Sequence, residues 1–239
     1  AEPLDLSLIT PNVPIFQRMG WGTKIGYGSA ENFIDLILFK AWDDANSIPT
    51  TNPQTVFANE NMVVGFKGQK TLFEKFRLGV DFGRSALTPN LREATTGNTE
   101  FPFYFINERQ TTTYKNAYNA NFDYQGNGFL VGVKYRRIDP DYNSLGAYFF
   151  NNDIEDYTLN TSFGLFQQAV QISGSIGVQQ DNLAQTKPAT LSRIIGATNI
   201  NYTKDAFNLG FNFSSKANIF FPIALRNISA SPFVKPANF

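Results

Sequence analysis

The sequence predicts an all-β fold, an antiparallel up-and-down barrel, from three observations. Several segments alternate apolar and polar residues with a period of two, which places the two kinds of side chain on opposite faces of a strand. Phe is frequent, with 24 residues, while charged residues make up only 17% of the chain. Short links alternate along the chain with longer connections that are rich in Asn, Asp, Thr and Pro.

The alternation is clear in residues 76–83, where every second residue beginning with Phe76 is apolar and Arg77, Gly79 and Asp81 lie between them. The same pattern recurs in residues 114–124, 157–165, 170–179 and 207–214. The polar faces carry mainly Asn, Gln, Ser, Thr and Gly, whereas the outer face of a water-soluble sandwich carries many Lys and Glu. The pattern therefore favours a transmembrane barrel, with lipid outside and a wet interior.

We expect about ten strands between residues 21 and 214, each near the roughly nine to eleven residues that cross a bilayer at a tilt. Residues 4–9 and 219–225 are candidates for one more strand at each terminus, giving about twelve, although Pro222 suits only an edge or a bend. We expect one domain, residues 1–239, with its strands within 20–215.

The connections predict an orientation, because membrane barrels have short periplasmic turns and long outer loops. The short links are residues 29–31, 71–75, 126–128, 166–169 and 203–205. The long connections are residues 42–60, 88–113, 138–153 and 181–192. The expected location is the bacterial outer membrane, with the protein integral to it.

Composition excludes several kinds of function. The chain has 0 Cys and 0 His, which removes thiolate chemistry, imidazole bases and the usual zinc sites. Lys+Arg and Asp+Glu are both 20, so no net field attracts nucleic acid. No spacing selects two carboxylates for acid–base chemistry. We expect no catalytic residue, no metal site and no cofactor.

Seven charged residues fall on the predicted interior face. They are Arg77, Asp81, Lys115, Asp123, Lys134, Arg136 and Asp156. One interpretation is a selectivity lining for a pore, since charges along a pore bias which solutes pass. The other, which we favour here, is interstrand ion pairing that fills a narrow barrel.

Aromatic residues form two further groups. A dense loop cluster consists of Phe101, Phe103, Tyr104 and Phe105, and predicts either a plug or partner contact, or a strand extension at the membrane interface. A second group lies near predicted strand ends and is typical of interfacial girdles: Trp21, Tyr27, Tyr114, Tyr124 and Tyr157.

Three stretches carry a resemblance to a known group: YKNAYNANFDYQ, VGVKYRRIDPDYNSLGAYFFNNDIEDYTLN and SIGVQQDNLAQTKPATLSRIIGATNINYT. Together with GWGTKIGYGSAENFIDLILFKAWDDANSI, they resemble outer-membrane barrel proteins of Bacteroidota whose function is largely unassigned. The resemblance implies location and architecture, not a reaction. Members of the group are longer, and the segment IFFPIALRNISASPFVKPANF departs from them, which leaves open a larger barrel.

The leading functional hypothesis is a non-enzymatic barrel that acts as a scaffold or accessory subunit of an envelope complex. The alternatives are a passive pore for small solutes and a soluble β-sandwich that binds carbohydrate or protein; a hydrolase using lumen carboxylates is the weakest. The expected partners are outer-membrane lipid, lipopolysaccharide and other envelope proteins, and not nucleic acid.

Overall fold

The computed structural model describes residues 15–48, 56–97, 105–147, 151–204 and 207–222, through which ten antiparallel strands run. In chain order they are β1 (Arg18–Gly28), β2 (Phe33–Asp43), β3 (Glu60–Leu72), β4 (Phe76–Thr88), β5 (Thr113–Gly126), β6 (Phe129–Ile138), β7 (Ile154–Leu165), β8 (Val170–Asp181), β9 (Ala189–Lys204) and β10 (Phe207–Pro222). Each strand pairs with the next one in sequence. The all-β, antiparallel, up-and-down fold is thus confirmed, while β1 and β10 remain edges and the described sheet is not closed.

The last strand corrects one expectation. A separate strand over residues 219–225 is wrong, because β10 continues without a turn and pairs with β9 from Phe207↔Lys204 to Pro222↔Ala189. Pro222 has no backbone N–H to donate, and it is tolerated because β10 is an edge of the described sheet, where no further strand needs such a donor. Residues 4–9 and 223–225 lie outside the described residues.

Tight links join the strands at one end of the sheet, here called the turn end. Between β3 and β4, Phe73 and Glu74 have φ of 51° and 57°, and Lys75 N donates to Leu72 O at 3.2 Å. Two consecutive left-handed residues match the right-handed twist of a hairpin. The opposite end, here the loop end, carries the longer connections 89–112 and 139–153.

The cross-strand register divides the side chains between two faces. Leu78, Phe122, Val133, Leu159 and Ile176 lie opposite one another across β4 to β8 and belong to the apolar face. Every exposed large hydrophobic side chain within the described strands lies on this face. Such an area far exceeds the few hundred Å² that soluble proteins leave open to water, so it requires apolar surroundings.

No helix of the described residues is long and apolar enough to cross a membrane. The buried hydrophobic cluster is small and contains Met62, Ala86 and Ile106, with Leu38, Val64, Phe105 and Tyr114 packed around them. Met62 and Ala86 are register partners on the apolar face near the loop end. The β4–β5 loop therefore bends outward and covers this corner of the apolar face.

Candidate functional site

The polar face is crossed by a row of charged and amide side chains that we call the charged row. Consecutive members are register partners on neighbouring strands from β2 to β9: Asp35, Lys67, Asp81, Asn119, Arg136, Asp156, Gln179 and Arg193. Opposite charges at such positions stabilise a sheet by roughly 0.2–1 kcal/mol per pair.

Part of the row is tied together by short contacts. Arg136 Nη2 lies 2.6 Å from Asp156 Oδ2, and Gln179 Nε2 donates to the same oxygen at 3.3 Å. At the β1–β2 edge, Lys24 Nζ lies 2.7 Å from Asp35 Oδ2. These contacts are the interstrand pairing that the sequence favours, but they involve only some of the charges.

Other polar side chains lie flat against the sheet over glycines of the neighbouring strand. The carboxylate of Asp123 occupies the space that a Cβ on Gly132 would need, and the amide of Asn121 does the same over Gly79. Asn121 Nδ2 also donates to Asp123 Oδ2 at 2.8 Å, which holds both side chains down. The glycines therefore keep these polar groups close to the wall.

Residues 139–147 of the β6–β7 loop fold onto the polar face and reach back to β3 and β4. Asn61 Oδ1 accepts from Leu145 N at 3.1 Å, while Asn61 Nδ2 donates to Ser85 Oγ at 2.8 Å. Ser85 Oγ in turn donates to Asn143 O at 2.6 Å. Asn61 is 0% exposed and Ser85 1%, so this anchor is fully desolvated.

Tyr142 extends the same loop over the centre of the sheet. Its hydroxyl lies next to Gly83, where an added Cβ would be 3.1 Å away. Burial and the nearby charge of Asp81 raise the pKa of Tyr142, which therefore stays protonated. The loop thus narrows the space above the polar face near the loop end.

The seven charged residues expected to face the interior all lie on the polar face by register. Their role as a lumen lining stays a prediction. Sequence reasoning missed Asn61, Ser85 and the 139–147 loop, because an Asn or Ser on a strand gives no sign of a partner 58 or 84 residues away. The loop contains the DPDYNSLG segment, which lies within one of the stretches quoted for the resemblance.

The loop aromatics are only partly described. Phe105 lies on the apolar face, where its carbonyl accepts from Lys40 Nζ at 2.6 Å and its ring meets Trp21 edge-on at 6.1 Å. Phe101, Phe103 and Tyr104 lie outside the described residues, so the plug and interface interpretations stay open for them.

The expected girdle residues all lie on the apolar face. Trp21 and Tyr157 are exposed there, whereas Tyr114 packs under the β4–β5 loop. Tyr114 therefore supports the loop rather than an outer girdle.

Asp153 organises the neighbouring β8–β9 loop. It accepts from Leu183 N at 2.8 Å and Asn182 N at 3.1 Å, and it pairs with Lys187. Burial raises the pKa of Asp153, but the hydrogen bonds from Lys187, Leu183 and Asn182 outweigh this and lower the pKa below its usual value. The hydrogen bond to Asp153 raises the pKa of Lys187.

No protein-family model and no curated protein matches the chain. Two solved structures of OccK2 (OpdF) from Pseudomonas aeruginosa are similar to it, one of them in complex with glucuronate. Each has a TM-score of 0.44 and 11% sequence identity, and the matches cover 84% and 83% of this chain. The chain spans 57% of the length of those structures. A likeness this distant carries no weight in the assignments that follow.

Replacing Asn61 with Ala should release residues 139–147 from the polar face. The change removes three hydrogen bonds and leaves Leu145 N unpaired, which costs about 1–3 kcal/mol. Limited proteolysis should cut the loop faster, and urea unfolding should begin at lower concentration. Asn160→Ala, on the same face but away from the loop, is the control; equal protection of both variants would contradict the anchor.

Asp153→Asn should weaken the loop end in a pH-dependent way. Because the folded pKa of Asp153 is lowered, its stabilisation is complete above the unfolded value of roughly 3.9 and is lost as pH falls through the folded value. Urea unfolding in detergent should show the wild type more stable than the variant by about 1–2 kcal/mol near neutral pH. The difference should vanish at low pH; a constant difference would contradict this origin.

Proposed function

We propose that this chain forms the wall of a passive, non-enzymatic pore in the bacterial outer membrane. The apolar face contacts lipid and lipopolysaccharide, and the polar face lines a water-filled lumen. The proposal replaces the scaffold role favoured by the sequence, because that role depended on side chains filling the interior.

The dimensions of the apolar face support a membrane location. On β7 the apolar positions run from Tyr157 to Leu165, nine residues or about 27 Å along the strand at ~3.4 Å per residue. A strand tilt of about 40° reduces this to about 21 Å, near the roughly 25 Å apolar band of outer-membrane barrels. At the loop end the same face changes to the Arg137–Glu155 ion pair, at 3.5 Å, which marks the change to water.

The flat polar side chains are the observation that carries the pore. A barrel filled by its own residues needs long side chains that project inward and meet. Here Gly79 and Gly132 lie beneath Asn121 and Asp123, so these two side chains lie against the wall instead of projecting inward. At these positions the side chains stay close to the sheet and leave the space above it open.

The β7–β10 part of the polar face supports the same conclusion. An open depression of about 460 Å³ lies there, lined by small neutral side chains that include Ser162, Ser173, Ser175, Asn199 and Asn212. Hydroxyl and amide groups of this size hydrate well and leave room for water. The 139–147 loop folds over the polar face near the loop end.

The pore is tested by planar-bilayer recording of the refolded protein and two glycine variants. The wild type should give a steady conductance. Gly132→Val should lower the conductance, because the added side chain displaces the Asp123 carboxylate into the lumen. Gly196→Val is the matched control on the apolar face, where the nearest atom to an added Cβ is 3.7 Å away, and it should conduct like the wild type.

Absence of conductance in the wild type would contradict the pore. A Gly132→Val variant that conducts like the wild type would contradict the role given to the flat side chains. Equal losses in both variants would also contradict that role, because the apolar-face glycine does not border the lumen.

A further inference from the structure

We infer that the pore selects small anionic solutes, which pass along a line of cations on β4 to β6 that we call the basic track. The track consists of Lys115, Lys134 and Arg77. The inference rests on the proposed pore function and adds the class of solute to it.

The first support is an imbalance among charges on the polar face. Four of its carboxylates have a cation partner: Asp35 with Lys24 at 2.7 Å, Asp43 with Arg18 at 2.7 Å, Asp156 with Arg136 at 2.6 Å, and Asp181 with Lys187 at 3.4 Å. By contrast, six polar-face cations have no carboxylate within 4.0 Å among the described residues: Lys67, Arg77, Lys115, Lys134, Arg193 and Lys216. The unneutralised charge is therefore mainly positive.

The two other carboxylates on the polar face of the strands, Asp81 and Asp123, neutralise little of the positive charge along the path of the solute. Asp123 lies flat over Gly132 and accepts a hydrogen bond from Asn121. Asp81 faces Lys67 across the sheet and lies near Tyr142 of the loop. Neither carboxylate is paired with a cation of the basic track.

The register places the track along the direction of passage. Lys115 lies level with Ser85 near the loop end, Lys134 with Asn121, and Arg77 with Asp123 toward the turn end. The distance along β5 from the level of Lys115 to the level of Arg77 is eight residues, or about 27 Å at ~3.4 Å per residue. An anion can thus move between cations through most of the lumen.

The Arg77 guanidinium is not neutralised, because no carboxylate of the described residues lies within 4.0 Å of it. Its Nε is buried and has no hydrogen-bond partner among the described residues. A guanidinium presents paired N–H donors that match a carboxylate or phosphate. The neutral Ser and Asn residues that line the β7–β10 depression add no opposing charge.

The inference is tested by measuring the reversal potential of the refolded protein in a neutral-lipid bilayer under a KCl gradient. Salt is kept near 0.1 M, because screening weakens the effect of fixed charges at higher concentrations. The wild type should favour Cl⁻ over K⁺, and potassium acetate in place of KCl should preserve the preference for the anion. Lys134→Gln combined with Arg77→Gln should lower the anion-to-cation permeability ratio by about twofold or more.

Lys70→Gln is the matched control, since it removes one positive charge from the apolar side, level with Leu78. It should leave the ratio unchanged. A conducting wild type that prefers K⁺, or shows no preference, would overturn the basic track and leave the pore standing. A wild type that does not conduct would overturn both. A double variant that conducts with the wild-type ratio would overturn the track alone.

Discussion

The structure depends on one constraint: strict alternation of side chains in a sheet whose register keeps every exposed large hydrophobic side chain of the described strands on the same face. A slip of one residue between two strands would move a whole set of apolar groups to the polar face. The described residues provide no second layer to cover that face, apart from the corner under Ile106. This uncovered apolar face is therefore stable only in apolar surroundings, and strands of this length match the thickness of a bilayer.

The same constraint shapes the polar face. The backbone groups of the strands hydrogen-bond within the sheet, except at the β1 and β10 edges. The polar side chains can therefore hydrogen-bond with one another, as Asn121 does with Asp123, or with the 139–147 loop, as Asn61 does. Where charges pair, as in Arg136–Asp156, they join neighbouring strands; where glycine faces a polar group, that group lies flat. The polar face therefore carries paired charges and side chains that lie along the sheet, and its unpaired charges are mainly cationic.

The strands, their faces and the alternation of turns with loops could be predicted from the sequence, because each follows from residues close together in the chain. The separate strand expected over residues 219–225 is wrong because the local pattern does not show that β10 runs on to Pro222, although the edge position that Pro222 indicates is confirmed. The anchor at Asn61 could not be predicted, because its loop partner is 84 residues away and only the folded sheet brings them together. The flat position of Asp123 likewise depends on a glycine in the next strand, which the pattern of one strand does not reveal.

Site-directed fluorescence along β7 tests the two faces most directly. The chain has 0 Cys, so single cysteines at Tyr157, Leu159, Thr158 and Asn160 can each carry one fluorophore in lipid vesicles. The account predicts that labels at 157 and 159 are quenched by a lipid-soluble quencher and labels at 158 and 160 by a water-soluble one. Quenching by the water-soluble quencher at all four positions would contradict a strand with one face in lipid and the other in an aqueous lumen.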